Sequence, residues 1–459
     1  MTALALISVL LLSPQADKVS FDEKVLATIP EGVIAKDVTF YKDGRLVAYR
    51  ALAGGKAHVQ INAIKHPDYP GIAEGLKWTG DGRIAYRATN GSQWFVVVGG
   101  TPGPATQSVG EPVFSADGKK VAYEGSRGIG AAGDITSCTV YVNGAKGADF
   151  AACGKPSWSA DGAVWAHTVR IGKPGVAGVR GFYTNEAMVV NGKIGTECLQ
   201  VSNPFFAAKG HSLAYRMRTE AGWTMNLDGK AHETYDDMGA AVFSDDGKNM
   251  AYQASKAGKH FVVINGKKSP EYAGVTEVFW SPDNKTVVYI AKEKPGGGEV
   301  IFFGDRKTEP YSRIYPPVFS ADGQHMAFGA RSTNGKYMVV LDDKLGPAEF
   351  EAIGNIVISP DGKRTAFAGQ WNFRWTCAID SGRSSMHDIV QTPVWSPDSK
   401  KVAYAGQDQG KWFVEVNYRR GDDVDEVLTL PVFSADGKKC AYGCRRGPDL
   451  MWRVVAVQE

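Results

Sequence analysis

Short apolar stretches alternate with polar turns along almost the whole chain, and the alternation itself repeats. Val113-Phe-Ser-Ala-Asp-Gly-Lys-Lys-Val-Ala-Tyr123 recurs as Val432-Phe-Ser-Ala-Asp-Gly-Lys-Lys-Cys-Ala-Tyr442 and as Val394-Trp-Ser-Pro-Asp-Ser-Lys-Lys-Val-Ala-Tyr404. The Asp of each copy falls at 43, 81, 117, 161, 246, 283, 322, 361, 398 and 436, and Lys209 takes that place in a degenerate copy. Three residues earlier stands Phe40, Trp78, Phe114, Trp158, Phe206, Phe243, Trp280, Phe319, Trp395 or Phe433, with Ile358 the one exception. Eleven copies therefore follow one another about 39 residues apart, a period that marks a repeat architecture.

Each unit predicts four short strands. The first ends at the aromatic, and an Asp-Gly turn leads to a second strand carrying Ala-Tyr or Ala-Phe, as at Ala251-Tyr252 and Ala366-Phe367. A loop leads to a third strand such as Phe261-Val-Val-Ile264, and Asn265-Gly266 turns into the fourth. Asn-Gly and Asp-Gly supply the positive φ angles that tight hairpins need. Four strands per repeat make the blade of a β-propeller, so the predicted fold is all-β. Propellers usually have four to eight blades, so the simplest division is a five-bladed ring over 17–234 and a six-bladed ring over 235–459; one large ring is the alternative. The chain ends on a third strand, Trp452-Arg-Val-Val-Ala-Val457, whereas Val25-Leu-Ala-Thr28 is like the fourth-strand segment Val427-Leu-Thr-Leu430. Residues 20–30 are thus expected to complete the last blade and cover its open edge.

Composition agrees. The 459 residues include 54 Gly and 22 Pro, with 11 Trp, 18 Tyr and 20 Phe, a turn-rich and aromatic-rich β composition. Hydrophobic residues at 43% and a net charge of +3 exclude a disordered or polyanionic chain. The apolar run Ala3 to Leu12 is too short to span a bilayer, which needs about 20 residues. It fits the hydrophobic region of a signal peptide over 1–16, so export to the periplasm or beyond is expected, with no transmembrane segment in the mature chain.

The Ser-Ala/Pro-Asp-Gly-Lys-x-x-Ala-Tyr/Phe unit resembles the WD40-like (PD40) propeller repeat of the TolB type, over roughly residues 30 to 457. That resemblance implies the propeller fold; repeats of this type occur both in periplasmic Tol-Pal proteins and in propellers attached to prolyl-oligopeptidase-like enzymes. It says almost nothing about activity, because unrelated functions share such repeats.

Chemical constellations are few. Gly210-His-Ser-Leu-Ala214 imitates a nucleophile elbow but aligns with the turn into a second strand. Cys440 and Cys444 would lie about 13 Å apart on a strand, too far to share a metal; no metal or other cofactor is expected. Cys138 and Cys153 flank the turn at Asn143-Gly144, with their midpoint at 145.5, so in a hairpin they could face each other and bridge. Most aromatics belong between blades, but Trp371, Phe373 and Trp375 cluster on one second-to-third-strand loop, as contacts for a glycan or peptide.

Charge is uneven across the repeat. The eleven second-to-third-strand loops hold 19 Lys/Arg and 7 Asp/Glu, a balance of +12 that leaves −9 for the rest. In a propeller these loops emerge on one face, which predicts a basic face for an anionic protein or glycan partner, read by Arg216, Arg218, Arg331, Arg374, Arg445 and Arg446. Nucleic acid fits poorly with an exported chain of this net charge. The expected function is a non-catalytic binding scaffold of the cell envelope. The alternative is a polysaccharide lyase or hydrolase with its site at a channel mouth, which needs a His converging there with Arg, Gln or a metal.

Overall fold

The computed structural model describes residues 21–457 apart from 43, 130–134, 172–184, 347–348 and 381. The apolar run expected to be a signal peptide lies outside the described residues. Among those described, all regular structure is β, and the strands form eleven antiparallel sheets arranged in a ring. The second strands of blades one to eleven are Val47–Ala53, Ile84–Thr89, Val121–Ile129, Trp165–Ile171, Leu213–Thr219, Met250–Lys256, Val287–Lys292, Met326–Arg331, Thr365–Trp371, Val402–Asp408 and Lys439–Arg446. No helix among the described residues is long and apolar enough to cross a membrane.

Local chemistry explains each blade, as in the sixth. The Ser244 hydroxyl donates to Asp246 Oδ1 (2.6 Å) and accepts from the Asn249 amide (3.0 Å), while the Lys248 amide donates to Asp246 (3.1 Å). These donors, the hydroxyl foremost, hold the Asp246 carboxyl below the usual carboxylate range. At the next turn Asn265 adopts φ 48° and Gly266 φ 81°. The Asn265 side chain accepts from the Met250 amide (2.9 Å), tying the turn to the start of the second strand. The Ser-Asp turn recurs at Ser115, Ser159, Ser281, Ser320, Ser359, Ser396 and Ser434, with Thr79 in blade two.

The Ala-Tyr signature is a packing device. Successive side chains on a strand point to opposite faces, so Ala403 packs toward blade eleven while Tyr404 packs toward blade ten's other neighbour, blade nine. Ala251 and Tyr252 divide between blades seven and five in the same way. In three of the four blades where the repeated aromatic is Trp, its indole N–H reaches the preceding blade: Trp158 to the Val113 carbonyl (3.2 Å), Trp280 to Val242 (3.0 Å) and Trp395 to Val357 (3.3 Å), whereas the Trp78 indole N–H is buried without a partner. First strands of neighbouring blades are thus linked, and they form the inner wall.

Across residue 235, Ala214, Met225 and Tyr235 of the fifth blade share a core cluster with Met250 and Tyr252 of the sixth. Leu26 and Leu450 of the last blade do the same with Val47 and Tyr49 of the first. Asp22–Thr28 is the outer strand of the last blade, antiparallel to Asp449–Ala456, with Asp22 opposite Val454 and Thr28 opposite Asp449. Arg453, 1% exposed, anchors this closure. Its guanidinium meets Glu23 (2.9 Å), donates to the Tyr442 hydroxyl (2.8 Å) and lies 4.8 Å from the Phe21 ring.

Cys138 and Cys153 are joined in a disulfide with Cα atoms 5.8 Å apart, but not across one hairpin. Cys138 lies opposite Phe150 within blade three, whereas Cys153 begins blade four, opposite Val169. The fourth strand, Ala145–Phe150, runs almost directly into the next blade. Cys138 stands five residues before Asn143 and Cys153 nine after Gly144, so the second cysteine passes the end of the hairpin into the next sheet, and the bond staples neighbouring blades.

Candidate functional site

The hairpins joining second and third strands share their face with the linkers that lead from one blade to the next. These linkers bring carboxylates to the hairpin tips. Asp236 accepts from the Ala257 amide (2.7 Å), Asp388 from Gln409 (2.8 Å), Asp425 from Gly447 (2.6 Å) and Glu351 from Phe373 (3.3 Å). The loop count that predicts a basic face omits these neighbours.

The six candidate arginines divide accordingly. Arg374 pairs with Asp388 (3.3 Å) and Asp408 (3.1 Å), Arg445 with Glu426 (3.3 Å) and Arg446 with Glu23 (3.1 Å). Arg216 donates to the Met238 carbonyl (2.6 Å) and lies over Trp223, which Arg218 also covers. Arg331 donates to the Gly335 carbonyl (3.2 Å) and lies over Tyr337. Among the described residues, these last three have no carboxylate partner. They belong to blades five and eight and are not brought together.

The aromatic loop of blade nine is a two-residue turn. Trp371 pairs with Arg374, and the turn residues Asn372 and Phe373 have φ 48° and 62°. Such a turn favours Gly at the second place, yet Phe373 stands there with its ring 89% exposed. Trp371 is half-exposed, with the Arg383 guanidinium 4.4 Å from its ring; Trp375 faces inward, against the core shared by blades nine and ten. Phe373→Gly relieves a left-handed bulky residue at about 1–2 kcal/mol and adds chain entropy worth about 0.5–1 kcal/mol. The expected result is a stability gain of about 0.5–1 kcal/mol, read from denaturant midpoints at unchanged slope; a loss would refute strain at this turn.

Two histidines, His167 and His387, are buried. His387 is 3% exposed. Its Nδ1 lies 2.8 Å from Asp408, and its Nε2 lies 3.3 Å from the Tyr404 hydroxyl. It occupies the place of Tyr272, Tyr311 and Phe350 in other blades, an aromatic wedged between sheets. No group of His, Cys, Asp and Glu among the described residues could hold a metal ion.

The inner wall differs around the ring. In blades two to four, Lys77, Glu111 and Lys155 form a ladder with both distances 2.9 Å, and the two lysines, Lys77 foremost, push the Glu111 carboxyl down to about 2. Behind this wall sits the residue after each Ala-Tyr pair. It is polar in blades one to six, from Arg50 to Gln253, and becomes Ile290, Gly329, Ala368, Ala405 and Gly443 in blades seven to eleven. Arg50 donates to the Ile72 carbonyl of the next blade (2.8 Å), as Arg216 does to Met238. Gln253 lies against Gly239 and Glu124 against Gly110, each filling the space of an absent side chain. At Ala368 that filling is missing, although the facing Gly354 is kept. A cavity of about 510 Å³ opens there, on the inner rim of blades nine to eleven. Of the candidate residues, only Trp375 lines it. The series after Ala-Tyr was readable in the chain; its meaning depends on which strand it faces.

No family model and no curated protein matches the chain. Among solved structures, a eukaryotic initiation factor is similar at 13% identity and a TM-score of 0.42, over 82% of this chain and 96% of that one. TolB from Acinetobacter baumannii is similar at 16% identity and a TM-score of 0.25, over 59% of each chain. The Dos1 propeller is similar at 11% identity and a TM-score of 0.30, over 65% and 90%. None of these likenesses brings an activity to this chain. Its own sheet order, eleven blades in a ring with the N-terminal strand in the last, makes it a β-propeller.

Proposed function

We propose that the protein is a non-catalytic binding scaffold of the cell envelope, taking an anionic protein or glycan on the face of its second-to-third-strand hairpins. The observation that carries this reading is the division among the arginines. Arg374, Arg445 and Arg446 are already neutralised by carboxylates, whereas Arg216, Arg218 and Arg331 rest on aromatic rings without one. The Arg218 and Arg331 guanidinium carbons lie 5.9 and 5.6 Å from the ring centroids and keep N–H groups for a charge-assisted bond to an anion, whereas Arg216 spends one on the Met238 carbonyl. The apolar run Ala3 to Leu12 and the bonded pair Cys138–Cys153 support an oxidising, exported setting.

Polygalacturonate is a suitable anionic probe. Binding should weaken as salt rises past about 0.15 M, where the Debye length is about 8 Å. Arg218→Glu with Arg331→Glu should weaken it at least about tenfold while leaving the melting temperature nearly unchanged, because surface changes usually stay within about 0.5 kcal/mol. Equal binding by the double variant, or binding indifferent to salt, refutes the reading.

A further inference from the structure

We propose that the cavity on the inner rim of blades nine to eleven is a binding site for a neutral sugar. Its polar lining consists of side-chain amides and hydroxyls, from Asn355, Gln391, Thr392 and Thr429, and its apolar lining includes Trp375 and Leu430. No charged side chain lines it. A charged ligand would lose its hydration there without a counter-charge. A purely apolar ligand would cover those amides and hydroxyls without bonding them. A sugar ring has a C–H face for the indole and leucine and a hydroxyl edge for the amides, so it meets both demands. The volume lies within the range of small-molecule sites.

Position within the blades supports the same ligand class. Gln391 and Thr392 fall in the break between the first-strand pieces Ile389–Val390 and Val394–Trp395. Thr429 falls in the matching break between Glu426–Val427 and Val432–Phe433. A peptide adding a strand needs a continuous edge, and at this level blades ten and eleven have none. Asn355 donates to the Thr392 hydroxyl (3.3 Å), which joins blades nine and ten across the rim. Val390 and Val427, which also line the cavity, hold the places of Ile72 and Met238. In blades two and six those places accept from Arg50 and Arg216. Ligand hydroxyls would thus stand where the protein's own polar side chains stand elsewhere in the ring.

The test is calorimetric titration with chitotetraose, cellotetraose and, as a peptide probe, tetra-alanine. About 0.5 M NaCl, well past the salt at which exposed charges are screened, removes any contribution from the arginine face, so the two proposals fail separately. Ala368→Gln restores the side chain that Gln253 provides opposite Gly239, here opposite Gly354, and so fills the cavity from within the fold. Asn355→Ala removes one exposed amide and leaves the core untouched. At least one of the two sugars should bind, and each variant should weaken it about tenfold or more. The proposal is overturned if neither sugar binds with a Kd below about 1 mM, if both variants bind as wild type does, or if tetra-alanine binds in their place.

Discussion

Deleting Asp22–Thr28 should produce a chain that melts far lower and aggregates. The strand covers the outer edge of the neighbouring strand from Asp449 to Val454. It buries Leu26 and Ala27 against the first blade, and the preceding Phe21 packs between the tenth and eleventh. Each large apolar side chain lost from the core costs about 1.5–3 kcal/mol. Arg453 would also lose Glu23, its nearer carboxylate, and keep only Asp422 at 3.7 Å; breaking a buried ion pair costs up to about 3–5 kcal/mol. The exposed edge would then offer unpaired N–H and C=O groups to other chains. Arg453→Ala separates the anchor from the strand and should cost about 3 kcal/mol, because Phe21 and Tyr442 lose the guanidinium between them. Thermal unfolding followed by light scattering reads both variants. An unchanged melting temperature and solubility after the deletion would show that this strand does not close the ring.

Removing the disulfide should cost about 3 kcal/mol, the chain-entropy value for a loop of about 15 residues. Cys138→Ser with Cys153→Ser tests it, and reductant should bring the wild-type denaturant midpoint down to that of the double variant. The remaining cysteines should not confuse the readout. Cys198, Cys377, Cys440 and Cys444 are buried, and burial pushes the thiols of Cys440 and Cys444 up to about 12. They should resist alkylation while the protein is folded. Equal midpoints for the double variant and untreated wild type would mean that the bond contributes nothing.

Which features were legible in the chain follows from the range of the forces that make them. Ser244, Asp246 and Asn249 bond one another within six residues, so their turn could be read directly. The Asn265-Gly266 turn and the opposite faces of Ala251 and Tyr252 follow from backbone φ and the two-residue period of a strand. That the last blade lacks a fourth strand was also legible from the repeat, and Asp22–Thr28 supplies it; the likeness to Val427-Leu-Thr-Leu430 was no guide, because Glu426–Val427 is a first-strand piece of that same blade.

Partners brought in from other blades were not legible. Arg374 meets Asp408 from the next blade, and Arg446 meets Glu23 from the far end of the chain. A count of loop charges sees the cations without these acids. Cys138 and Cys153 were expected to face each other across one hairpin, but Cys153 lies past the short linker that joins blades three and four. Ala368 reads as one more small residue on a strand until Gly354 is found facing it.

The sequence by itself thus determined the blade, its turns, its buried Ala-Tyr pairs and the number of copies, since each depends on bonds and side-chain alternation within about 40 residues. The tertiary structure decided which charges are cancelled, which blades the disulfide ties and where the inner wall opens. Those outcomes are set by contacts between blades, where the sum of two or three side chains, rather than any one of them, fills a space or leaves it empty.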